Sequence, residues 1–230
     1  MVDVIAFDGD DTLWHNETVF SLTQEKFRDL LCAYAPQAEI DAALLATETR
    51  NLRLFGYGIK GFTLSMIESA IELTRGRVSA TDIHTMIEAG KDMLEHPVEL
   101  LDGVRETVEW AARDRRAMVI TKGDLFDQES KLARSGLADL LWKVEIVSEK
   151  DPDTYRRILE IHEIDPGGFL MVGNSVKSDI LPVLEAGGRA VHIPYEITWA
   201  HEHVEPDPAA TFPTLEHIRQ LPELVKDGLP

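Results

Sequence analysis

The sequence is short of cysteine, of basic charge and of long apolar runs, and each shortage excludes a class of protein. Its single cysteine, Cys32, cannot form a disulfide within the chain, so the fold does not depend on an oxidising compartment. Only 23 Lys and Arg face 41 Asp and Glu, and the net charge of −18 would repel a nucleic-acid backbone. No uncharged apolar run approaches the ~18 residues of a membrane span. We therefore expect neither a nucleic-acid-binding protein nor a membrane protein.

The first residues also lack the features of a secretory signal. Met1-Val2-Asp3 carries no basic residue, and the apolar run that follows is too short for the core of a signal peptide. A cytoplasmic protein is therefore expected. Its composition, 44% apolar and 28% charged, is typical of a folded globular chain. Because free cysteines are usually buried, we also predict that Cys32 is buried.

Short apolar runs rich in β-branched residues predict five buried parallel strands. These runs cover residues 4–7, 117–120, 144–147, 169–172 and 190–193. Amphipathic segments of helical length lie between the later runs, at residues 103–113, 125–135, 152–162 and 179–186. Strands that alternate with helices of this length predict an α/β fold, with a parallel sheet and helices on both of its faces.

An all-helical block interrupts this alternation after the first strand. Between Trp14 and Pro97 the patterns are helical, at residues 22–34, 40–55, 63–74 and 81–95. We predict a core domain of residues 1–14 and 98–230 and a helical domain of residues 15–97. Near the other end, the turn-rich Glu205-Pro206-Asp207-Pro208 precedes a predicted terminal helix at residues 214–225.

Polar residues follow the predicted strands, at the edge of a parallel sheet where ligands bind. They are Asp8, Gly9 and Asp10 after the first strand, Thr121, Lys122 and Gly123 after the second, Lys150 near the third, and Asn174 and Asp179 after the fourth. Several carboxylates in one crevice repel one another unless a cation neutralises them. Mg²⁺ prefers one or two carboxylates with water and phosphate oxygens, which suits Asp8 and Asp179 around a phosphoryl group.

This set of residues can support phosphoryl transfer. Asp8 is suited to attack phosphorus, while Asp10 protonates the leaving oxygen and then activates water. Thr121, the Gly123 amide and Lys150 would complete a cradle for the anion. We therefore expect the phosphate of a small metabolite to contact Gly9, Thr121, Lys122, Gly123 and Lys150.

The same residues resemble the four motifs of the haloacid dehalogenase superfamily. The resemblance rests on Phe7-Asp8-x-Asp10-Asp11-Thr12-Leu13, Thr121, Lys150 before a Tyr-containing helix, and Gly173-Asn174-Ser175 with Asp179. It implies a Rossmann-like core with strand order 5-4-1-2-3 and an inserted helical cap of the C1 type. The helical block occupies the position of that cap.

The resemblance also implies roles for single residues. Asp8 would be the nucleophile and a Mg²⁺ ligand, and Asp10 the general acid and base, whose backbone carbonyl also binds the metal. Thr121 and Lys150 would hold the phosphate, and Asp179 would be the acidic metal ligand. Dehalogenases of the family lack an acid two residues after the nucleophile, so Asp10 favours a phosphatase or phosphotransferase.

The chain departs from the family pattern at two motifs. The fourth motif commonly begins Gly-Asp, whereas Asn174 stands here, so Asn174 is a metal ligand or holds a metal-bound water. The third motif often reads Lys-Pro-x-Pro, whereas Lys150 precedes Asp151-Pro152. Lys143 is a competing candidate, but Lys150 follows its strand at the crevice end and is preferred.

Other polar residues have simpler interpretations beside the functional ones. Asp11 is expected to order the turn after the first strand by accepting backbone hydrogen bonds. The tract His201-Glu202-His203 has two metal-type ligands, but without a third fixed ligand a solvated loop is preferred over a zinc site. Lys60, between glycines in the helical block, could bind a second anionic group of the substrate, although plain surface charge is the commoner role.

The predicted function is a Mg²⁺-dependent phosphatase that acts through an aspartyl-phosphate. A phosphotransferase or phosphomutase of the same fold is the nearest alternative. A phosphate-binding regulatory protein without turnover is a third. No sequence pattern indicates the oligomeric state or the identity of the phosphorylated substrate.

Overall fold

The computed structural model describes residues 2–197, 199–202, 204 and 211–228, and in them the chain forms one parallel sheet of five strands. The strands lie in the order β3-β2-β1-β4-β5, and each neighbouring pair is parallel. This is the predicted order read from the other edge, and the α/β fold class is confirmed. The strands are β1 Val4–Phe7, β2 Arg116–Lys122, β3 Lys143–Val147, β4 Phe169–Gly173 and β5 Arg189–His192.

Most helices of the described residues begin and end within four residues of the predicted segments, but the first begins at residue 17 rather than at residue 22. They are α1 Glu17–Leu31, α2 Gln37–Phe55, α3 Ile59–Thr74, α4 Ala80–Glu95, α5 Val104–Asp114, α6 Leu125–Ser135, α7 Pro152–Ile161, α8 Leu181–Glu185 and α9 Leu221–Asp227. None of these helices combines the length and the apolarity that a bilayer crossing requires.

The described residues divide into two compact units. The sheet unit comprises residues 2–17, 98–122 and the described residues from 128 to 228, and the helical unit comprises Thr18–Pro97 and Gly123–Asp127. The predicted domains assign residues 15–17 to the helical block and residues 123–127 to the core. In the structure, residues 15–17 belong to the sheet unit and residues 123–127 belong to the helical unit.

The core of the sheet unit lies on both faces of the sheet. Side chains alternate along each strand, so Ile5 packs in one apolar cluster and Ala6 in another. Val104 and Val108 of α5 cover the first face, and Ile158 of α7 covers the second. Burial on both faces explains why the strands read as continuous apolar runs rather than as alternating patterns.

The helical unit has an apolar core of its own. Phe27 of α1, Leu44 of α2, Met66 of α3 and Met86 of α4 are all buried in one cluster. Cys32 does not belong to it: the residue is exposed, so the prediction of a buried cysteine is wrong. Cys32 follows the last residue of α1, where the chain has already left the packed face of the helix.

Two predicted helices differ in the structure. In place of a helix over residues 179–186, a π-helical turn spans Val176–Ile180 and α8 follows, with Pro182 in its first turn. The terminal helix α9 begins at Leu221 rather than at Thr214. Residues 213–215 pair with the end of β5 through backbone bonds of His192 to Pro213 and Leu215, and a 3-10 turn at Ile218–Gln220 leads into α9. The predicted turn at residues 205–208 lies outside the described residues.

Candidate active site

The loop after β1 is tightly constrained by backbone contacts. Gly9 must be small, because a Cβ there would lie 2.9 Å from the Trp14 ring and 3.2 Å from Thr121 Oγ1. Asp11 has a φ of 62°, and its carboxylate accepts the Asn16 and Glu17 amides at 2.9 and 3.0 Å, at the start of α1. The predicted turn-ordering role of Asp11 is thus confirmed.

The environment of Asp11 raises its pKa to about 8. Burial is the largest cause, and the charge of Asp10 adds to it, while the backbone hydrogen bonds from Glu17 and Asn16 lower the pKa. The carboxyl group therefore helps to build the loop, and it points to the start of a helix rather than to the other polar residues of the sheet edge.

Asp8, Lys150 and Asp179 come together at the carboxyl edge of the sheet. The Lys150 ammonium donates to Asp8 Oδ1 and, at 2.7 Å, to Asp179 Oδ1. All three residues are buried, with 7%, 4% and 1% of their surface exposed. Two carboxylates and one ammonium leave an excess of negative charge in a buried site. The structure thus brings two predicted acids to one cation, although they are far apart in the sequence.

Burial and charge shift the titration of this cluster. Burial raises the pKa of Asp8 to about 7; the Lys150 charge lowers it in part, and the charge of Asp179 raises it further. Burial lowers the pKa of Lys150, but the carboxylates of Asp179 and Asp8 raise it well above its ordinary value. Lys150 is therefore a permanent cation, whereas Asp8 is the group whose ionisation responds to an additional positive charge.

Asp10 is held by three donors in the sheet unit. Its Oδ1 accepts from Trp14 Nε1 at 2.7 Å and from Lys131 Nζ at 2.9 Å, and its Oδ2 accepts from Gln128 Nε2 at 2.8 Å. Neither Gln128 nor Lys131 is predicted from the sequence. Both are buried in α6 and lie three residues apart, so they share one helix face. An amide and an ammonium on the inner face of a helix could have indicated an acid opposite them.

Thr121 and Lys122 close β2 at the same sheet edge. Thr121 is buried, and its Oγ1 lies 3.3 Å from Gln128 Oε1. The Lys122 ammonium is already engaged: it donates to Glu202 Oε1 at 2.7 Å and to Ser178 Oγ at 2.9 Å. Gly123, which has a φ of 143°, belongs to the helical unit rather than to the sheet unit. The predicted contact of its amide with a phosphate stays a prediction.

Asn174 is linked to the loop that carries Asp8. Its backbone N–H donates to Thr12 Oγ1 at 3.1 Å. The Thr12 hydroxyl also lies 3.2 Å from Asp8 Oδ2 and 3.3 Å from the side-chain oxygen Oδ1 of Asn174. The backbone carbonyl of Asn174 lies 3.0 Å from His192 Nε2. Burial lowers the pKa of His192. Thr12 and His192 therefore position the loop after β4, and neither is a predicted site residue.

Asp179 is held by the π-helical turn and by the glycine that ends β4. Its Oδ2 accepts the Ser175 amide at 3.0 Å. A Cβ on Gly173 would lie 2.2 Å from the same oxygen, so a larger residue cannot stand there without displacing the acid. π-Helical turns are often found at functional sites. Here the extra residue of the turn aims Asp179 back at the strand end.

The donor set of this cluster fits a hard dication. The Asp8 and Asp179 carboxylates already converge on one ammonium, and the Asn174 amide oxygen is tied to the same loop through Thr12. Oxygen ligands with an excess of negative charge are what Mg²⁺ prefers. Within the described residues no group of three or more His, Cys, Asp or Glu converges on one point, so water and substrate oxygens would complete the coordination shell.

The structure locates the residues of two alternative assignments. Lys143 is the exposed first residue of β3, at the amino end of the strand, whereas Lys150 contacts Asp8 and Asp179 at the carboxyl edge. In the tract His201-Glu202-His203, His203 lies outside the described residues. The solvated-loop interpretation is wrong for Glu202, whose carboxylate accepts three hydrogen bonds and is mostly buried.

Lys60 is paired within the helical unit. Its ammonium donates to Asp124 Oδ1 at 2.8 Å and lies 5.5 Å from the centroid of the Phe126 ring. The hydrogen bond from Lys60 is the main influence that lowers the pKa of Asp124. An anionic group that binds Lys60 would therefore have to compete with Asp124.

Known proteins similar to this chain share its fold and its sequence pattern. The model of the haloacid dehalogenase-like hydrolase family matches residues 2–187. A haloacid dehalogenase-like family hydrolase from Xanthomonas campestris is 42% identical, with a TM-score of 0.89 over 98% of this chain and 91% of that one. No curated protein matches the chain.

More distant structures share the fold alone. A 2-haloacid dehalogenase from Pseudomonas syringae is 22% identical, with a TM-score of 0.65 over 99% of both chains. A predicted phosphoglycolate phosphatase from Haemophilus somnus is 16% identical, with a TM-score of 0.64 over 97% of this chain and 98% of that one. Because the family pattern spans most of the sequence and the parallel sheet has the order expected for it, the chain belongs to the haloacid dehalogenase-like hydrolase family.

Proposed function

We propose that the protein is a Mg²⁺-dependent phosphatase that hydrolyses a small phosphorylated metabolite through an aspartyl-phosphate on Asp8. The observation that carries the proposal is a second acid, Asp10, in the same loop as Asp8 and close enough for its charge to raise the pKa of Asp8. Hydrolysis of a phosphate ester needs both a nucleophile and a separate proton donor. These two carboxylates have different surroundings, which suits two different roles.

The first half of the reaction uses both carboxylates of the loop. A carboxylate oxygen of Asp8 attacks phosphorus, the bond from phosphorus to the ester oxygen breaks, and Asp10 gives its proton to that oxygen. Lys150 stays between Asp8 and Asp179 and offsets their charge. Thr121, at the end of β2, is a donor for the transferred phosphoryl oxygens.

The second half returns the enzyme to its starting state. Asp10, now ionised, takes a proton from water; the water oxygen attacks phosphorus, and the bond to Asp8 breaks to release inorganic phosphate. When Asp10 carries a proton, one of its oxygens must leave its donor, Lys131 or Gln128. This exchange of partners is the structural change that we expect at each turnover.

Mg²⁺ would be held by Asp8, Asp179, the Asp10 carbonyl and, directly or through water, Asn174. When bound, it supplies positive charge that stabilises the negative charge developing on the phosphoryl oxygens. Because Asp8 has a pKa of about 7 without a metal, the same charge would also keep the nucleophile ionised at neutral pH.

The test compares phosphate release with halide release. The purified protein is expected to hydrolyse p-nitrophenyl phosphate only with Mg²⁺, and Asp8→Asn should lower the rate by at least about a thousandfold. Parental phosphatase activity in Asp8→Asn would contradict the mechanism. Halide release from 2-chloropropionate without phosphatase activity would instead indicate a dehalogenase.

A second assay identifies the acceptor and the substrate. Release of inorganic phosphate from a panel of phosphorylated metabolites, with no added sugar acceptor, is the result expected for a hydrolase. Turnover that requires an added hydroxyl acceptor would indicate a phosphotransferase. Binding of Mg²⁺ without turnover across the panel would indicate a regulatory protein.

A further inference from the structure

Glu202 lies in the chain after β5, outside the motifs that carry the proposed chemistry, and yet its carboxylate is fully engaged. Its Oε1 accepts from Lys122 Nζ at 2.7 Å, and its Oε2 accepts from Ser175 Oγ at 2.6 Å and from Ser178 Oγ at 2.7 Å. Only 14% of its side-chain surface is exposed. A carboxylate that is this enclosed must be held by the surrounding donors.

An ionised carboxylate can accept every hydrogen bond that Glu202 makes in this network. The Ser175 hydroxyl already accepts the Ser178 amide at 3.1 Å, and the Ser178 hydroxyl already accepts from Lys122 Nζ at 2.9 Å. Each hydroxyl has one proton, which it gives to Glu202. A glutamine could keep its oxygen toward Lys122 only by turning its NH₂ group toward the two hydroxyls, which reverses both serine hydrogen bonds and removes the charge that attracts Lys122.

The pKa of Glu202 agrees with an ionised carboxylate that accepts these hydrogen bonds. Burial raises it, but the Lys122 charge and the hydrogen bonds from Lys122, Ser175 and Ser178 lower it to about 2. The group is therefore ionised at every pH at which the protein would be assayed. A stable charge of this kind can organise a loop.

The donors of Glu202 are in the segment that carries Asp179. The Ser175 amide bonds to Asp179 Oδ2 at 3.0 Å, and the Ser175 carbonyl accepts the Asp179 amide at 2.8 Å. Lys122 directly follows Thr121 at the end of β2. Glu202 therefore ties the π-helical turn with the acidic residue to the strand end with the threonine.

A second contact joins the chain around Glu202 to the π-helical turn. The Lys177 ammonium donates to the His201 carbonyl at 2.8 Å, and the Glu202 amide closes a turn on the Trp199 carbonyl at 2.9 Å. The chain around Glu202 is thus fixed to residues 175–178 at more than one point. The position of residues 201–202 against residues 175–178 is therefore fixed by the Lys177 side chain as well as by the Glu202 side chain.

We infer that Glu202 is a positioning residue for the metal site: by clamping Ser175, Ser178 and Lys122 it holds Asp179 where a dication can share it with Asp8. The inference rests on the proposed function, because it assumes that Asp179 binds Mg²⁺. Groups that orient metal ligands without touching the metal commonly change metal affinity by about 10- to 100-fold when they are removed.

The test measures Mg²⁺ affinity and local order in Glu202→Gln. Glu196→Gln is the matched control, because Glu196 is exposed in the same segment after β5. In calorimetric titration with Mg²⁺, Glu202→Gln should bind about tenfold more weakly than the parent, and Glu196→Gln should bind within twofold of it. In the metal-free protein, the amides of Ser178 and Asp179 should exchange with solvent about tenfold faster in Glu202→Gln alone.

Each outcome decides for or against the inference. Parental Mg²⁺ affinity in Glu202→Gln, or an equal loss in Glu196→Gln, overturns it, and neither result affects the proposed phosphatase chemistry. A parent protein that does not bind Mg²⁺ contradicts the proposed function and this inference together. If Glu202→Gln does not fold, Ser178→Ala, which removes one donor, takes its place: several-fold weaker binding supports the inference and unchanged binding overturns it.

Discussion

Glu48, on the buried side of α2, is expected to make the helical unit less stable as the pH rises. The residue is 9% exposed and neighbours the buried Thr47, with Leu44 and Asn51 one turn away on the same face. Burial raises its pKa from 4.5 to about 7. Replacement of Glu48 by glutamine keeps the shape of the side chain and removes the titration.

The sign and the size of the effect follow from the two pKa values. Between pH 4.5 and pH 7, the folded chain holds the Glu48 proton and the unfolded chain does not. The free energy of unfolding therefore falls as the pH rises through this window. From pH 5 to pH 8 the loss amounts to about 2.5 kcal/mol for a shift of this size.

Urea unfolding followed by far-ultraviolet circular dichroism tests this prediction. Relative to the parent, Glu48→Gln should gain about 2.5 kcal/mol of unfolding free energy between pH 5 and pH 8. Glu25→Gln, at an exposed position of α1, is the control and should show no such gain. A stability difference between Glu48→Gln and the parent that is the same at both pH values would refute the reasoning.

Three further predictions concern the site. Gly173→Ala should abolish measurable Mg²⁺ binding in calorimetry, because its Cβ would lie 2.2 Å from Asp179 Oδ2; parental affinity would contradict the close approach. Lys131→Met removes the charged donor to Asp10, so the free energy of unfolding measured in urea should fall by about 1.5–3 kcal/mol. An unchanged free energy of unfolding would contradict a stabilising role for this pair. The ¹³C resonance of the Asp8 carboxyl should titrate near pH 7 without metal, because burial raises its pKa, and Mg²⁺ should lower the midpoint; a metal-free midpoint below 5 would show that burial is not the main influence.

The fold could be predicted because its signals are local. The strands are buried on both faces, so each is a short apolar run, and α6 spans residues 125–135 as its amphipathic pattern predicts. The π-helical turn was beyond such reasoning. Its residues have a helical pattern, and the contacts that Asp179 makes with Ser175 and Lys150 in the wider turn join segments that the local pattern does not relate.

Some residues of the candidate site could likewise be predicted from the sequence, and others could not. Asp8, Asp10, Thr121, Asn174 and Asp179 could be proposed because polar residues follow strands whose carboxyl ends meet at one edge. The partners of these groups could not be proposed. Gln128 and Lys131 are ordinary polar residues of a helix until Asp10 lies against them, and Glu202 belongs to a loop with no regular pattern.

The sequence by itself determined the class of fold, the order of its elements and the residue types available at the sheet edge, because apolar periodicity and motif spacing act over a few residues. Only the tertiary structure decided which charges meet. Lys150 lies between Asp8 and Asp179. Lys122 forms an ion pair with Glu202, and Lys60 forms one with Asp124. Such pairs depend on distances between side chains that are remote in the sequence, and these distances exist only after the chain has folded.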